Sequence, residues 1–134
     1  MSQDDVRTIR AAYEAFAKGD IPAVLSNFTP DIEWIEAEDT GLPFAGTHRG
    51  QDAVASEVFA TVPENWDDFT VTPERFIDGS DAVVVISRFR GKGKGGTPLD
   101  VQSAQLFEMR DGKVARMQHF TDTAAWWRSV FAKP

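Results

Sequence analysis

The stretch 101–120, VQSAQLFEMRDGKVARMQHF, constrains the fold most, because its side chains alternate in character on both sides of Asp111-Gly112. Alternation about a turn dipeptide predicts a long β-hairpin. The turn is either the two-residue Asp111-Gly112 or a three-residue Arg110-Asp111-Gly112 loop with Gly112 left-handed. The choice matters because a one-residue slip turns every side chain of a strand to the other face. The three-residue loop pairs Met109 with Lys113 and puts Ser103, Gln105, Phe107, Met109, Ala115, Met117 and His119 on one face. Only that register collects the apolar residues near the turn on one side, so it is the expected one. It leaves an apolar wall interrupted by Ser103, Gln105 and His119, a mixture suited to a ligand pocket.

Upstream, residues 4–18 place Val6, Ile9, Tyr13 and Phe16 at helical spacing, and Gly19 is placed to end that helix. Asp20 reads as the N-cap of a short second helix with Val24, Leu25 and Phe28 inward, stopped by Thr29-Pro30. Residues 31–36 alternate as a strand with Ile32, Trp34 and Glu36 on one face. A glycine- and proline-rich loop over 37–50, which has room for a short irregular strand, leads to a helix over 51–62 with Val54, Val58, Phe59 and Val62 inward. Residues 63–68 read as an acidic break. Strands then follow at 69–77 and 82–90, with GKGKGGT as a flexible loop into the hairpin. In the strand 82–90, Val84, Ile86, Arg88 and Arg90 share one face and Val83, Val85, Ser87 and Phe89 the other. Asp122 caps a last helix whose Trp126, Trp127, Val130 and Phe131 pack back on the fold.

This order predicts an α+β fold, a curved antiparallel sheet wrapped over helices to form a cone with an internal cavity, in one domain spanning 1–134. The absence of cysteine excludes disulfides, thiolate catalysis and cysteine-ligated metals. A net charge of −7 disfavours nucleic acid and anionic membrane as partners. The N-terminal MSQDDVRTIR lacks a signal-peptide apolar region and no apolar run reaches membrane-span length, so a cytoplasmic location is expected.

Three pieces in order, YEAFAKGDIPAVLSNFTPDIEW, THRGQDAVASEVF and LFEMRDGKVARMQHFTD, resemble the nuclear-transport-factor-2-like superfamily, in its ketosteroid-isomerase and SnoaL-type polyketide-cyclase branch. The resemblance implies the cystatin-like cone and a small-molecule site within it. It aligns Glu36 with the isomerases' catalytic Asp base, Gln105 with their protonated oxyanion-hole Asp, and Ala12, beside Tyr13, with their oxyanion Tyr. His119 matches a position where related epoxide hydrolases and cyclases carry an acidic catalytic residue. Arg88 matches an Arg of limonene-type epoxide hydrolases, although the Asp expected two residues on is Arg90. Both oxyanion donors and the hydrolase triad are therefore altered.

Glu36 in an apolar pocket is disfavoured as an anion by desolvation, which suits a general base, unless it is paired with Arg88. His119 is an acid or proton shuttle, or a satisfied core histidine. Gln105 is a donor to a ligand carbonyl. Arg88 is expected inside the hollow. Trp34, Phe44, Phe59 and Trp66 form an aromatic cage or plain core, and Tyr13, Ser103, Phe107 and Met117 complete the ligand surface. GKGKGGT lacks the Ser or Thr of a phosphate loop, His48 and His119 lack metal-ligand spacing with Glu36, Glu38 or Asp39, and no G-x-S-x-G is present. No metal or cofactor is expected. Two functions follow: a cofactor-free isomerase-, cyclase- or epoxide-hydrolase-like catalyst acting on a small apolar carbonyl or polycyclic substrate, or a non-catalytic ligand-binding or assembly domain. An outer sheet face comprising Val83, Val85, Phe89, Leu106 and Phe120 predicts a homodimer.

Overall fold

In a computed structural model, which describes residues 2–134, helix α1 (Ser2–Ala17) and the short α2 (Ile21–Leu25) precede strand β1 (Phe28–Ile35). Strand β2 (Thr47–Arg49), α3 (Gln51–Val54), a π-helical turn (Ala55–Phe59) and α4 (Thr61–Asn65) follow. Four long strands then run in succession, β3 (Trp66–Asp78), β4 (Ala82–Gly93), β5 (Pro98–Arg110) and β6 (Lys113–Thr121), and α5 (Thr123–Phe131) comes last. All six strands join one sheet in the order β2-β1-β6-β5-β4-β3. Every neighbouring pair is antiparallel except β1 with β6, which run parallel. No helix among the described residues is long and apolar enough to cross a membrane.

Local chemistry explains the element ends. Asp20 caps α2 by accepting from the Ala23 amide, and Asp122 caps α5 by accepting from Ala124 and Ala125. The second helix ends sooner than expected, and Phe28, Thr29 and Pro30 belong to β1, where Phe28 is buried. Pro30 is tolerated because β1 meets β6 irregularly between Phe28 and Glu33. The helix expected over 51–62 is broken by the π-turn, and α4 carries Pro63 where an acidic break was expected.

The hairpin turn is the two-residue form, not the three-residue loop expected. Arg110 pairs with Lys113, and both Asp111 (φ 52°) and Gly112 (φ 77°) are left-handed, as a type I′ turn requires. The faces nevertheless come out largely as expected. Pairing shifts by one between Met109–Val114 and Glu108–Arg116, so Ala115 is bulged out and odd-numbered residues oppose odd ones beyond it. Ser103, Gln105, Phe107, Met117 and His119 are consequently all buried on the inner face, and Val114 replaces Ala115 there.

Strand β4 corrects the sequence reading. Val83, Val85, Ser87 and Phe89 are the buried row, and Val84, Ile86, Arg88 and Arg90 face outward. Leu106 and Phe120 do lie on the outer face, where Phe120 is half exposed. The inner row belongs to one apolar core with Ile9 of α1 and with Val24, Phe28, Ile32 and Val54. Helix α5 packs against β5 and β4. Its Trp126 packs edge-on against Phe44 and Trp66 at 5.3 and 5.5 Å between centroids, and its ring N–H donates to Thr121. The helix is seated so tightly on β4 that a Cβ at Gly93 would lie 1.7 Å from the Ser129 carbonyl oxygen. Burial of this kind makes truncation of a Trp or Phe to Ala worth about 3–5 kcal/mol.

Candidate active site

Strand β1 carries Ile32 and Trp34 on its inner face, with Glu36 buried one residue past its end, and β6 lies beside it with Trp34 opposite Met117. On the next strand Gln105 stands directly across from His119. Parallel β1–β6 pairing therefore brings the end of β1 to the end of β6, and Glu36 meets His119. Glu36 Oε1 lies 2.8 Å from His119 Nδ1, and Oε2 accepts from the Trp34 ring N–H at 2.7 Å. Both side chains are buried, with 3% of the His119 and 6% of the Glu36 side chain exposed. When Glu36 is ionised and the ring is neutral, His119 Nδ1 donates to the carboxylate and Nε2 is the ring's acceptor. That Nε2 is buried and has no hydrogen-bond partner. The ring itself is held between Phe89, tilted at 5.1 Å, and Trp126, edge-on at 6.0 Å.

A second polar pair stands on the same wall. The Tyr13 hydroxyl, from α1, donates to Gln105 Oε1, so the amide is oriented with its NH2 elsewhere. That NH2 meets only the Met117 sulfur, at 3.9 Å. Burial pushes the Tyr13 phenol well above its ordinary range, opposed by the nearby Ser87 hydroxyl. Ser87 Oγ itself makes no hydrogen bond of acceptable geometry.

These groups open on a cavity of about 80 Å³ inside the cone. By the measure in which one water needs roughly 10–15 Å³, it has room for several waters or a small ring. Its lining includes Tyr13, Trp34, Glu36, Gln105 and His119, together with Phe44, Phe59 and Phe107, as expected from the sequence. It also includes Phe16, Phe28, Phe69, Phe89 and Trp126, which sequence reasoning did not assign to the site. Phe89 alternates with Ser87 and Val85 and so shares their buried row, whereas the sequence reading places Val83, Val85 and Phe89 on the outer face.

Four expected contributors lie elsewhere. Arg88 does not enter the hollow and does not touch Glu36; it donates to Asp100 at 2.8 Å on the outer face. Its methylene stem lies on the sheet and its head reaches water, because burying an unpaired guanidinium inside the cone is far costlier. Trp66 packs in the aromatic core behind Phe44, with its ring N–H donating to Ser129 at 2.9 Å. Ser103 is buried on the same face but donates to Thr121. Met117 is fully buried beneath Gln105 and does not line the cavity. The remaining histidine, His48, is engaged away from the dyad, with Nδ1 2.7 Å from Glu57 and Nε2 2.8 Å from the Phe44 carbonyl. No cluster of three or more His, Cys, Asp or Glu among the described residues is arranged to hold a metal ion.

A cone of helices and curved sheet around an aromatic cavity, with its polar groups gathered from α1 and three neighbouring strands, defines a nuclear-transport-factor-2-like domain. The chain belongs to the SnoaL-like domain family, whose model matches residues 9–117. An uncharacterized protein of Mycobacterium tuberculosis is 31% identical over 129 residues, 96% of each chain. An NTF2-like protein of unknown function from Burkholderia pseudomallei superposes with a TM-score of 0.89 at 27% identity, over 96% of this chain and 98% of that one. TerC, solved in co-crystals with polyporic acid, superposes with a TM-score of 0.87 at 30% identity, over 95% and 98%.

Proposed function

We propose that the chain is a proton-transfer catalyst, of isomerase or cyclase type, for a small and largely apolar carbonyl substrate held in the aromatic cavity. One observation carries this reading: the buried Glu36–His119 pair leaves a single unpartnered nitrogen, Nε2, in the cavity wall. The roles expected from the sequence shift accordingly. His119 takes the proton, and Glu36, clamped by Trp34, orients the ring and balances the imidazolium that forms. The Gln105 amide donates to the oxygen on which charge develops. That a structural neighbour was co-crystallised with polyporic acid supports a small organic ligand here too.

The test is hydrogen–deuterium exchange at the α-carbon of 2-tetralone, followed by NMR in heavy water. Acceleration over buffer, lost in both H119Q and E36Q, is the expected result; exchange at the buffer rate with wild-type protein would sink the catalytic reading.

A second reading, a ligand-binding domain without catalysis, is favoured by the Tyr13–Gln105 bond, which spends the one phenol of the site on another side chain rather than on a substrate. It expects ring compounds to raise the melting temperature without any exchange. We propose further that the outer face, with Val84, Ile86, Leu106 and Phe120, is covered by a second copy of the chain. Light scattering at micromolar concentration showing a monomer would remove that proposal.

A further inference from the structure

His48 is a buried ring with an acceptor at each nitrogen. Its side chain is 8% exposed. Nε2 lies 2.8 Å from the Phe44 carbonyl oxygen, which can only accept, so Nε2 carries a proton. Nδ1 lies 2.7 Å from Glu57 Oε1. The Glu57 side chain is 56% exposed, so water stabilises it as a carboxylate, which also only accepts. Both contacts are hydrogen bonds at once only when both ring nitrogens carry protons, as in the imidazolium. Such a buried cation persists because a counter-charge touches it.

Glu57 is the ring's one ionic partner among the described residues. Across β1 the neighbour of His48 is Trp34, and Arg49, next along β2, bonds Glu33 at 3.2 Å. Both carboxylate oxygens of Glu36 are taken by His119 and Trp34. Glu38 and Asp39 of the preceding loop, Asp52 of α3 and Glu64 of α4 are exposed, and α2 carries no charged residue.

The ring joins two separate stretches of the cavity wall. One is the loop before β2, which contributes Phe44 to the lining. The other is the π-turn, which contributes Val58 and Phe59, with Phe59 edge-on to Trp34 at 5.3 Å. The π-turn is marked by a bond from the Ala60 amide to the Ala55 carbonyl, five residues back. This is a rare form, seen mostly as one widened turn inside an α-helix, and Glu57 sits at its centre.

We propose that His48 is a proton-controlled latch on this wall: the imidazolium ties the Phe44 loop to the π-turn, and the neutral ring releases the π-turn. On release the Nδ1–H bond breaks, its electron pair stays on Nδ1, and the proton passes to water beside the exposed Glu57. The new lone pair then faces a carboxylate oxygen at hydrogen-bond distance and is repelled by it. The Phe44 contact survives, because Nε2 keeps its proton. Opening is therefore one-sided: Glu57 turns to solvent and the π-turn loosens, while the Phe44 loop stays on the ring. Histidine changes charge between about pH 5 and 8, so the wall loosens as pH rises across that span. The device is independent of what the cavity binds and of whether it catalyses.

The test uses the intact chain labelled with nitrogen-15 at its two histidines. At a pH of about 5.5 the His48 signals are expected to show both ring nitrogens protonated, and at about 8.5 only Nε2. They are assigned by their loss in H48Q or, should that variant fail to fold, by their persistence in H119Q. Amide hydrogen exchange by mass spectrometry, corrected for the intrinsic effect of pH, follows the latch itself. Protection of residues 55–60 is expected to fall at least about tenfold between the two conditions, the worth of one hydrogen bond to a charged group, while β4 and β5 keep theirs. In E57Q the amide accepts from the charged ring or donates to the neutral one, so the pH step is expected to vanish. Glu57 is exposed, and circular dichroism checks that E57Q is folded. A His48 ring with one protonation state throughout, flat protection of residues 55–60 in the wild type, or a step that survives in E57Q would each overturn the proposal.

Discussion

The molecule has two histidines, each set against a glutamate, and they differ in what the second ring nitrogen does. His48 is satisfied at both ends. Its Nε2 donates to the Phe44 carbonyl and its Nδ1 meets Glu57, which is itself more than half exposed. The ring ties the loop before β2 to the π-turn and has no valence left for chemistry. His119 is satisfied at one end only. Its glutamate is buried and held by a tryptophan, and its Nε2 is left free in the cavity wall. The same two residue types thus make a clasp in one place and a candidate catalytic pair in the other. The distinction lies in the unspent hydrogen bond.

The largest expected effect is on His119. H119Q should lower 2-tetralone exchange by about 10²–10⁴-fold, the usual worth of a general base, with stability changed by no more than about 1 kcal/mol. An exchange rate unmoved by the substitution would erase the contrast between the two histidines. H48L should do the reverse. Leaving the Phe44 carbonyl without its donor is expected to cost about 1–3 kcal/mol in chemical denaturation, while exchange per folded molecule stays within a few-fold of wild type. A selective loss of exchange in H48L, with stability intact, would make it a second functional histidine.

Tyr13 is the chain's single tyrosine, so its ionisation can be followed in the intact protein. Burial raises its folded-state value above the ordinary 10.0. A group raised on folding adds stability that is complete below the unfolded value and is lost as pH climbs above it. Tyrosinate absorbance should therefore appear above pH 10 only together with unfolding. A tyrosinate titrating near pH 10 in protein still folded by circular dichroism would show that Tyr13 is not sealed against Gln105.

The smallest effect is expected at Arg88, on the far side of the sheet from the cavity. Its guanidinium holds the Asp100 carboxyl below the usual carboxylate range. A carboxylate lowered on folding contributes stability at neutral pH and loses it as pH falls through the lowered value. Both partners reach solvent, so R88A should change the melting temperature barely and exchange not at all, with the residual difference vanishing in acid. Loss of exchange in R88A would return this arginine to the site.

The sequence by itself determined the parts of this protein that local chemistry controls. The Asp20 and Asp122 caps, the left-handed Gly19, the 3.6-residue apolar row of α1 and the strand alternation each act within a few residues. Together with the three resembling segments they were enough for the α+β cone, the inward placement of Trp34 and Glu36, and the shared face of Gln105 and His119. Tertiary structure decided what depends on strands meeting at a distance. Strand β4 has apolar residues in both rows, Val83 and Val85 in one and Val84 and Ile86 in the other, so alternation alone carries no inside and outside. The two arginines of the outer row were the available signal, since burying them unpaired costs far more than burying Ser87. At the hairpin the Asp-Gly pair took its preferred two-residue turn, and the bulge at Ala115 restored the faces, because the buried set of β5 and β6 outweighs a perfect ladder near the tip. The Glu36–His119 bond was least legible of all. It exists because β1 lies parallel to β6, bringing together two residues 83 positions apart that no local pattern relates.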